Sequence, residues 1–134
     1  MKRFMQVVLW FNIALSSVIG FTGYVLNVGP AGITPAEPIH QHELAAIYLG
    51  YVVLLFFVLR KFDRDPTWLL APVVFLVPLW IDSIYELTAG TGPVPPVILR
   101  PLLTACYVAG YVTLRRRASE RLAKTANAGA AATN

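Results

Sequence analysis

The sequence predicts an all-α fold, an integral membrane four-helix bundle. Of its 134 residues, 57% are hydrophobic and 13% are charged, which is too apolar for an ordinary soluble domain. The apolar residues form four long segments, and every Lys and Arg except Arg100 falls on one side of the resulting topology. Because each span takes about 20 residues, the chain has no room for a further folded domain. Large multidomain enzymes and soluble nucleotide-binding folds are therefore excluded.

The four apolar segments define the expected spans, at about residues 4–26, 43–59, 67–87 and 96–114. Each segment suits one membrane-crossing helix, whereas membrane β-strands would show short segments of alternating hydrophobicity. We expect the first segment to be retained as a span rather than removed as a secretory signal. Its apolar run is longer than a usual signal core and lacks a clear small-x-small cleavage site.

Basic residues determine the expected orientation. They precede the first span, separate the second from the third, and follow the fourth: Lys2, Arg3, Arg60, Lys61, Arg64, Arg115, Arg116, Arg117, Arg121 and Lys124. The positive-inside rule assigns this side to the cytoplasm, so both termini are expected to be cytoplasmic. The expected location is the cell membrane, as a multi-pass protein of a bacterial inner membrane. Residues 1–117 form the spanning domain, and 118–134 form a basic tail that we expect to be mobile.

The connections carry signals for turns and for a helix start. Loop 27–41 is rich in Gly and Pro and is expected to be irregular. Asp65 followed by Pro66 predicts the start of the third span, with Asp65 as the cap and Pro66 at the first helical position. Prolines within the third and fourth spans predict kinks where backbone hydrogen bonds are lost.

Ionisable residues converge near the outer end of the spans. At a rise of about 1.5 Å per residue, Asp82 lies about 22 Å and Arg100 about 21 Å from the inner boundary. An ionised side chain inside a bilayer is costly and usually pairs, so Asp82 and Arg100 are expected partners. Helical spacing then predicts an outward-facing pocket made of Asp82, Tyr85, Glu86, Arg100, Thr104 and Tyr107, with Glu43 nearby. The pair either locks two helices together or belongs to a functional site.

The segment from His40 to Glu43 is a second feature. Histidine and carboxylate side chains are ligands of zinc and other transition metals, so His40, His42 and Glu43 are candidate ligands of a divalent metal. The same residues also suit an interfacial position, where Glu43 is favourably placed by the helix dipole. The spacing does not by itself define a tetrahedral ligand set.

One face of the first span is lined by small and weakly polar residues. Asn12, Ser16, Gly20 and Gly23 share this face by helical spacing. Small residues allow membrane helices to approach closely, so the face predicts a packing seam. The alternative is that Asn12 lines a pathway.

Three functional classes fit these features. Our expectation is an accessory or structural subunit that packs against a larger membrane complex. Kinked spans rich in small residues and a mobile tail fit such a subunit, and this role requires no catalytic chemistry. One alternative is an enzyme or binder for a lipid-like molecule, with Asp82 and Glu86 as acid and base and Arg100 holding an anionic group. The other is a proton-coupled transporter in which Asp82 or Glu86 changes protonation.

Partners and ligands follow from the same features. We expect contacts with membrane lipid and with a larger membrane complex or a second copy of the chain. Nucleic acid is not an expected partner, because the basic residues flank apolar spans rather than forming a stripe on a soluble face. No catalytic residue is assigned, and the candidate ligands are a bound lipid and a divalent metal.

Overall fold

Four long α-helices make up the structure, which is a computed structural model that describes residues 1–23, 38–90 and 94–131. The helices are α1 (Lys2–Phe21), α2 (Pro38–Lys61), α3 (Ala71–Thr88) and α4 (Val94–Ala131), and a short 3₁₀ helix (Pro66–Leu70) precedes α3. No strand occurs in these described ranges. The prediction of an all-α fold is confirmed.

Within the described residues, four helical segments are long and apolar enough to cross a membrane. They are Lys2–Phe21, Glu43–Lys61, Pro66–Thr88 and Val94–Glu120. These segments overlap the four expected spans, so the predicted number and order of spans are confirmed by length and composition. The expected first span reached residue 26, and its last residues lie outside the described part of the chain.

Two helices are longer than their apolar segments predicted. Helix α2 begins at Pro38 instead of residue 43, because proline is well suited to the first position of a helix. The prediction of an irregular loop is therefore wrong for residues 38–41, and 27–37 lie outside the described residues. Helix α4 extends past the expected end at 114 to Ala131, through a segment rich in Ala, Arg and Lys, which favour helix. The mobility of 118–134 stays a prediction.

The start of the third span agrees with the capping predicted from the sequence. Asp65 caps it, since its Oδ1 accepts a hydrogen bond from the backbone N–H of Thr67 at 2.9 Å, and Pro66 is the first residue of the 3₁₀ helix. Hydrogen bonds from the side chain and the backbone of Thr67 hold the pKa of Asp65 below its usual range. The first turn is 3₁₀ rather than α, and it continues into α3 at Ala71.

The four helices share one apolar core. Its fully buried members include Met5, Leu9, Leu55, Val58, Phe62, Leu69 and Tyr107. Many large apolar side chains on the outside are exposed, among them Phe11 on α1 and Ile98 on α4. Apolar residues on both faces are typical of helices that pack against each other on one side and contact lipid on the other.

Small residues let α1 approach its neighbours, which confirms the predicted packing seam. Asn12, Ser16, Gly20 and Gly23 are all buried. A Cβ at Gly20 would lie 3.0 Å from the side chain of Leu49 on α2. On α4, a Cβ at Gly110 would overlap the sulfur of Met5. Contact between α1 and α4 therefore depends on a glycine that the sequence analysis did not single out.

Gly110→Leu should destabilise the bundle, because a larger side chain at this position has to displace the fully buried Met5. We expect a loss of about 1–3 kcal/mol in the free energy of unfolding, as is typical of overpacked cores. Unfolding by titration with SDS from a mild detergent would measure this loss.

Gly50→Leu is the matched control. Gly50 lies within α2, where a Cβ would have no atom within 4 Å. We expect this variant to keep the free energy of unfolding or to raise it by up to about 1 kcal/mol, because Leu favours helix more than Gly does. Equal stability of the two variants would contradict the close contact of α1 with α4.

Candidate functional site

A cavity of about 330 Å³ lies between the four helices, in the half of the bundle remote from Lys2 and Arg117. We call it the outer cavity. It is lined by Asn12, Leu15, Ser16, Ile19, Tyr48, Tyr51, Leu76, Pro95, Pro96, Leu99, Arg100 and Leu103. Most of these side chains are apolar, and a few polar groups interrupt them. Such a lining is typical of sites that bind small organic molecules.

Arg100 is the charged residue among the described residues that line the outer cavity. The side chain is half-buried, and its Nη1 donates hydrogen bonds to the carbonyl oxygen of Leu79 and to Oγ of Ser83. Its Nη2 donates to the hydroxyl of Tyr48 at 2.8 Å. All three acceptors are neutral, and the guanidinium has more N–H donors than they occupy.

The expected ion pair between Asp82 and Arg100 is not formed. Among the described residues, no carboxylate lies within salt-bridge distance of Arg100, and the salt bridge present joins Lys2 to Asp63. Successive residues of a helix point about 100° apart, so the inward orientation of Ser83 turns Asp82 to the exposed surface of α3. The pairing prediction is therefore wrong, and Ser83 takes the place assigned to Asp82.

The other acids of the expected pocket also lie on the surface. Glu86 is exposed on α3, Glu43 is exposed near the start of α2, and Tyr85 is 73% exposed. None of these three side chains lines the outer cavity. The structure therefore places Arg100 in a cavity wall and separates it from the carboxylates expected to work with it.

Thr104 and Tyr107, also expected in the pocket, do not line the outer cavity, but each bonds to a residue that does. Thr104 Oγ1 donates to the carbonyl oxygen of Arg100 at 2.9 Å, a bond within α4. Tyr107 is fully buried, and its hydroxyl accepts a hydrogen bond from Nδ2 of Asn12 at 2.8 Å. Both contacts therefore have a structural role, one within α4 and one between α1 and α4.

Asn12 connects three helices through its side-chain amide. Its Nδ2 also donates to the hydroxyl of Tyr51 at 2.9 Å, and its Oδ1 accepts from Ser16 Oγ at 3.2 Å. The ring of Tyr51 stacks on Phe75 of α3, with 4.0 Å between the ring centroids. Asn12 therefore bonds across the bundle, as polar residues in spans commonly do, and also contributes polar atoms to the outer cavity.

A tryptophan satisfies the backbone group that Pro101 leaves without a partner. Proline has no N–H, so the carbonyl of Val97, four residues earlier in α4, loses its helical donor. Trp80 Nε1 donates to this carbonyl at 2.9 Å. The bond holds α3 against α4 next to Arg100. Sequence reasoning missed it, although a proline inside a span is a signal that a side-chain donor is needed.

The predicted metal site is not tested by the structure. His40 and His42 belong to α2, and their side chains lie outside the described part of the chain. Within the described residues, no group of three His, Cys, Asp or Glu side chains could hold a metal ion. The divalent metal ligand set of His40, His42 and Glu43 stays a prediction.

Comparison with models of protein families, with curated proteins and with solved structures finds no match for this chain. What the outer cavity binds is therefore inferred from its lining. That lining offers an apolar surface, hydroxyl and amide groups, and a guanidinium that has neutral partners in the described residues.

Asn12→Leu should destabilise the protein, because the hydroxyls of Tyr51 and Tyr107 lose their shared donor. We expect the free energy of unfolding to fall by about 1–2 kcal/mol, the range for a lost buried hydrogen bond. The measurement is again unfolding in SDS.

Gln6→Leu provides the control for this variant, since it makes a comparable amide-to-apolar change at an exposed position of the same helix. It should leave the stability nearly unchanged. If Gln6→Leu lowered the free energy of unfolding as much as Asn12→Leu does, the hydrogen bonds of the Asn12 amide would make no specific contribution to stability.

Proposed function

We propose that the protein is a membrane-embedded binding protein for a lipid-like small molecule that carries an acidic group. The observation that supports this proposal is the position of Arg100 in the wall of an apolar cavity, with neutral hydrogen-bond acceptors. A guanidinium binds carboxylate and phosphate groups with two parallel hydrogen bonds. A charge within a span is costly, so an anionic ligand beside Arg100 would be bound favourably.

The dimensions of the outer cavity restrict the ligand. Its volume of about 330 Å³ lies near the lower end of the range for ligand sites, about 300–1,000 Å³. A single hydrocarbon chain or a compact ring system with an acidic head suits this volume better than an entire phospholipid with two chains. The acidic head would bind at Arg100 and Tyr48, and the apolar body would contact Leu76, Leu99 and Leu103.

The basic residues support a cytoplasmic location for both termini, by the positive-inside rule. Lys2, Arg64 and Arg117 lie at one end of the bundle, which we call the basic end. In this orientation the basic end faces the cytoplasm, and the outer cavity lies in the outer half of the cell membrane. A lipid-like ligand would then enter from the outer leaflet.

Catalysis or proton transport by Asp82 and Glu86 has less support than binding. Both carboxylates are exposed, and neither lines the outer cavity in which a substrate would lie. The interpretation as an accessory subunit of a larger membrane complex stays a prediction. Exposed apolar side chains such as Phe11 and Ile98 would contact such a partner, and lipid would cover the same surface without it.

Native mass spectrometry of the full chain, purified in a mild detergent from its own membrane, tests the proposal. We expect a bound acidic amphipath in about one copy per chain. Arg100→Met should lower its occupancy or affinity about tenfold or more, because a hydrogen bond to a charged group contributes about 1.5–3 kcal/mol. Arg100→Lys keeps the charge and should retain part of the binding.

Asp82→Asn is the control for this experiment. It removes a charge at the same expected depth, from a side chain that lies outside the outer cavity. Ligand occupancy should equal that of the unmodified protein. Equal occupancy in Arg100→Met, with its melting temperature preserved, would exclude Arg100 as the anchor and with it the proposed function.

A further inference from the structure

A second cavity, of about 380 Å³, opens at the basic end of the bundle. We call it the basic cavity. Its lining comes from the start of α1, the connection between α2 and the 3₁₀ helix, and α4: Lys2, Phe62, Asp63, Arg64, Pro66, Leu114, Arg117 and Ala118. None of these residues contributes to the outer cavity. The linings of the two cavities are separated along α1 by about 15 Å, the rise from Lys2 to Asn12.

The charges of the basic cavity do not cancel. Three of its side chains are cationic, and Asp63 is its acid. Lys2 Nζ lies 3.3 Å from Asp63 Oδ1, so this pair is largely neutralised. Arg64 and Arg117 are exposed, and among the described residues neither has a carboxylate within salt-bridge distance. The basic cavity therefore carries a net positive charge located on two arginines.

Two neighbouring cations, Lys61 and Arg115, differ from these two arginines because they contact aromatic rings. Lys61 Nζ lies 4.6 Å from the centroid of the Trp68 ring. Arg115 donates a hydrogen bond to the hydroxyl of Tyr111 and lies over its ring. Cation–π contacts partly satisfy such charges. The arginines of the basic cavity have no such contact in the described structure.

The floor of the basic cavity is apolar. Phe62 is completely buried and Leu114 is 7% exposed, and both lie beneath the charged rim. The cavity is also at the height where the apolar helices end, since α2 ends at Lys61 and the third candidate span begins at Pro66. A charged rim, an apolar floor and a position at the end of the spans match the boundary between lipid head groups and acyl chains.

We propose that the basic cavity binds the phosphate head group of an anionic phospholipid. Basic pockets between membrane helices on the cytoplasmic side are suited to such head groups. The phosphate would contact Arg64 and Arg117, and the glycerol and first methylene groups would contact the accessible apolar surface of Pro66, Leu114 and Ala118. A soluble phosphate would use the arginines and would gain nothing from the apolar floor. The proposal is independent of the ligand of the outer cavity.

The test uses the full chain in a neutral detergent, with native mass spectrometry and thermal melting as readouts. Short-chain phosphatidylglycerol, phosphatidylcholine and inorganic phosphate are added separately at equal concentrations. We expect phosphatidylglycerol to bind about tenfold more tightly than phosphatidylcholine, and to raise the melting temperature because it binds the folded state. Inorganic phosphate should neither bind at this concentration nor raise the melting temperature.

Three double variants locate the site. Arg64→Gln combined with Arg117→Gln should weaken phosphatidylglycerol binding about tenfold or more, as expected when two cations near the head group are lost. Arg60→Gln combined with Arg116→Gln removes the same charge from exposed residues outside the basic cavity and should retain the preference. Arg64→Lys combined with Arg117→Lys keeps the charge and should also retain it.

Three outcomes would overturn the proposal. Equal loss of binding in the two glutamine variants would show a general effect of charge rather than a site. Displacement of phosphatidylglycerol by an equal concentration of inorganic phosphate would identify a site for a soluble anion. Loss of the preference in the lysine variant, with its melting temperature unchanged, would exclude charge as the basis of binding.

Discussion

A positive charge inside an apolar helix needs acceptors around it, and in this protein the described acceptors of Arg100 are neutral. The guanidinium bonds to the carbonyl of Leu79, to Ser83 and to Tyr48, and it thereby joins α2, α3 and α4. Neutral acceptors solvate the charge without cancelling it. The outer cavity beside Arg100 is therefore both held in shape by this residue and made attractive to an anion.

The same requirement accounts for the other polar contacts between the helices. Asn12 is shared by Tyr51 and Tyr107, and Trp80 donates to the carbonyl that Pro101 leaves without a helical donor. In a membrane, water does not satisfy such groups, so each of them has to find a partner within the protein. These contacts surround the outer cavity, which explains why a void between four apolar helices is lined by a few ordered polar groups.

Much of the fold follows from the sequence, because the number of spans depends on segment length and the packing seam on helical spacing. The helix rise also predicted that Arg100 lies level with residue 82 of α3, and the bond from Arg100 to Ser83 agrees with this. The hydrogen-bond partners of Arg100 were not predictable, because the position of a residue along a helix does not determine in which direction its side chain points about the helix axis. Asp82 and Ser83 differ by one residue and therefore by about 100°. Nothing in the sequence selected Tyr48 from the six tyrosines, since its contact requires the long side chains of Tyr48 on α2 and Arg100 on α4 to meet across the bundle.

An experimental structure of the full chain, purified with its native lipids, would test the central claim most directly. The claim is that the charge of Arg100 is available to an anionic ligand in the outer cavity. It predicts elongated non-protein density that fills this cavity and begins within hydrogen-bond distance of the guanidinium. A carboxylate of the chain itself bound to Arg100, with the cavity closed by side chains, would contradict the claim.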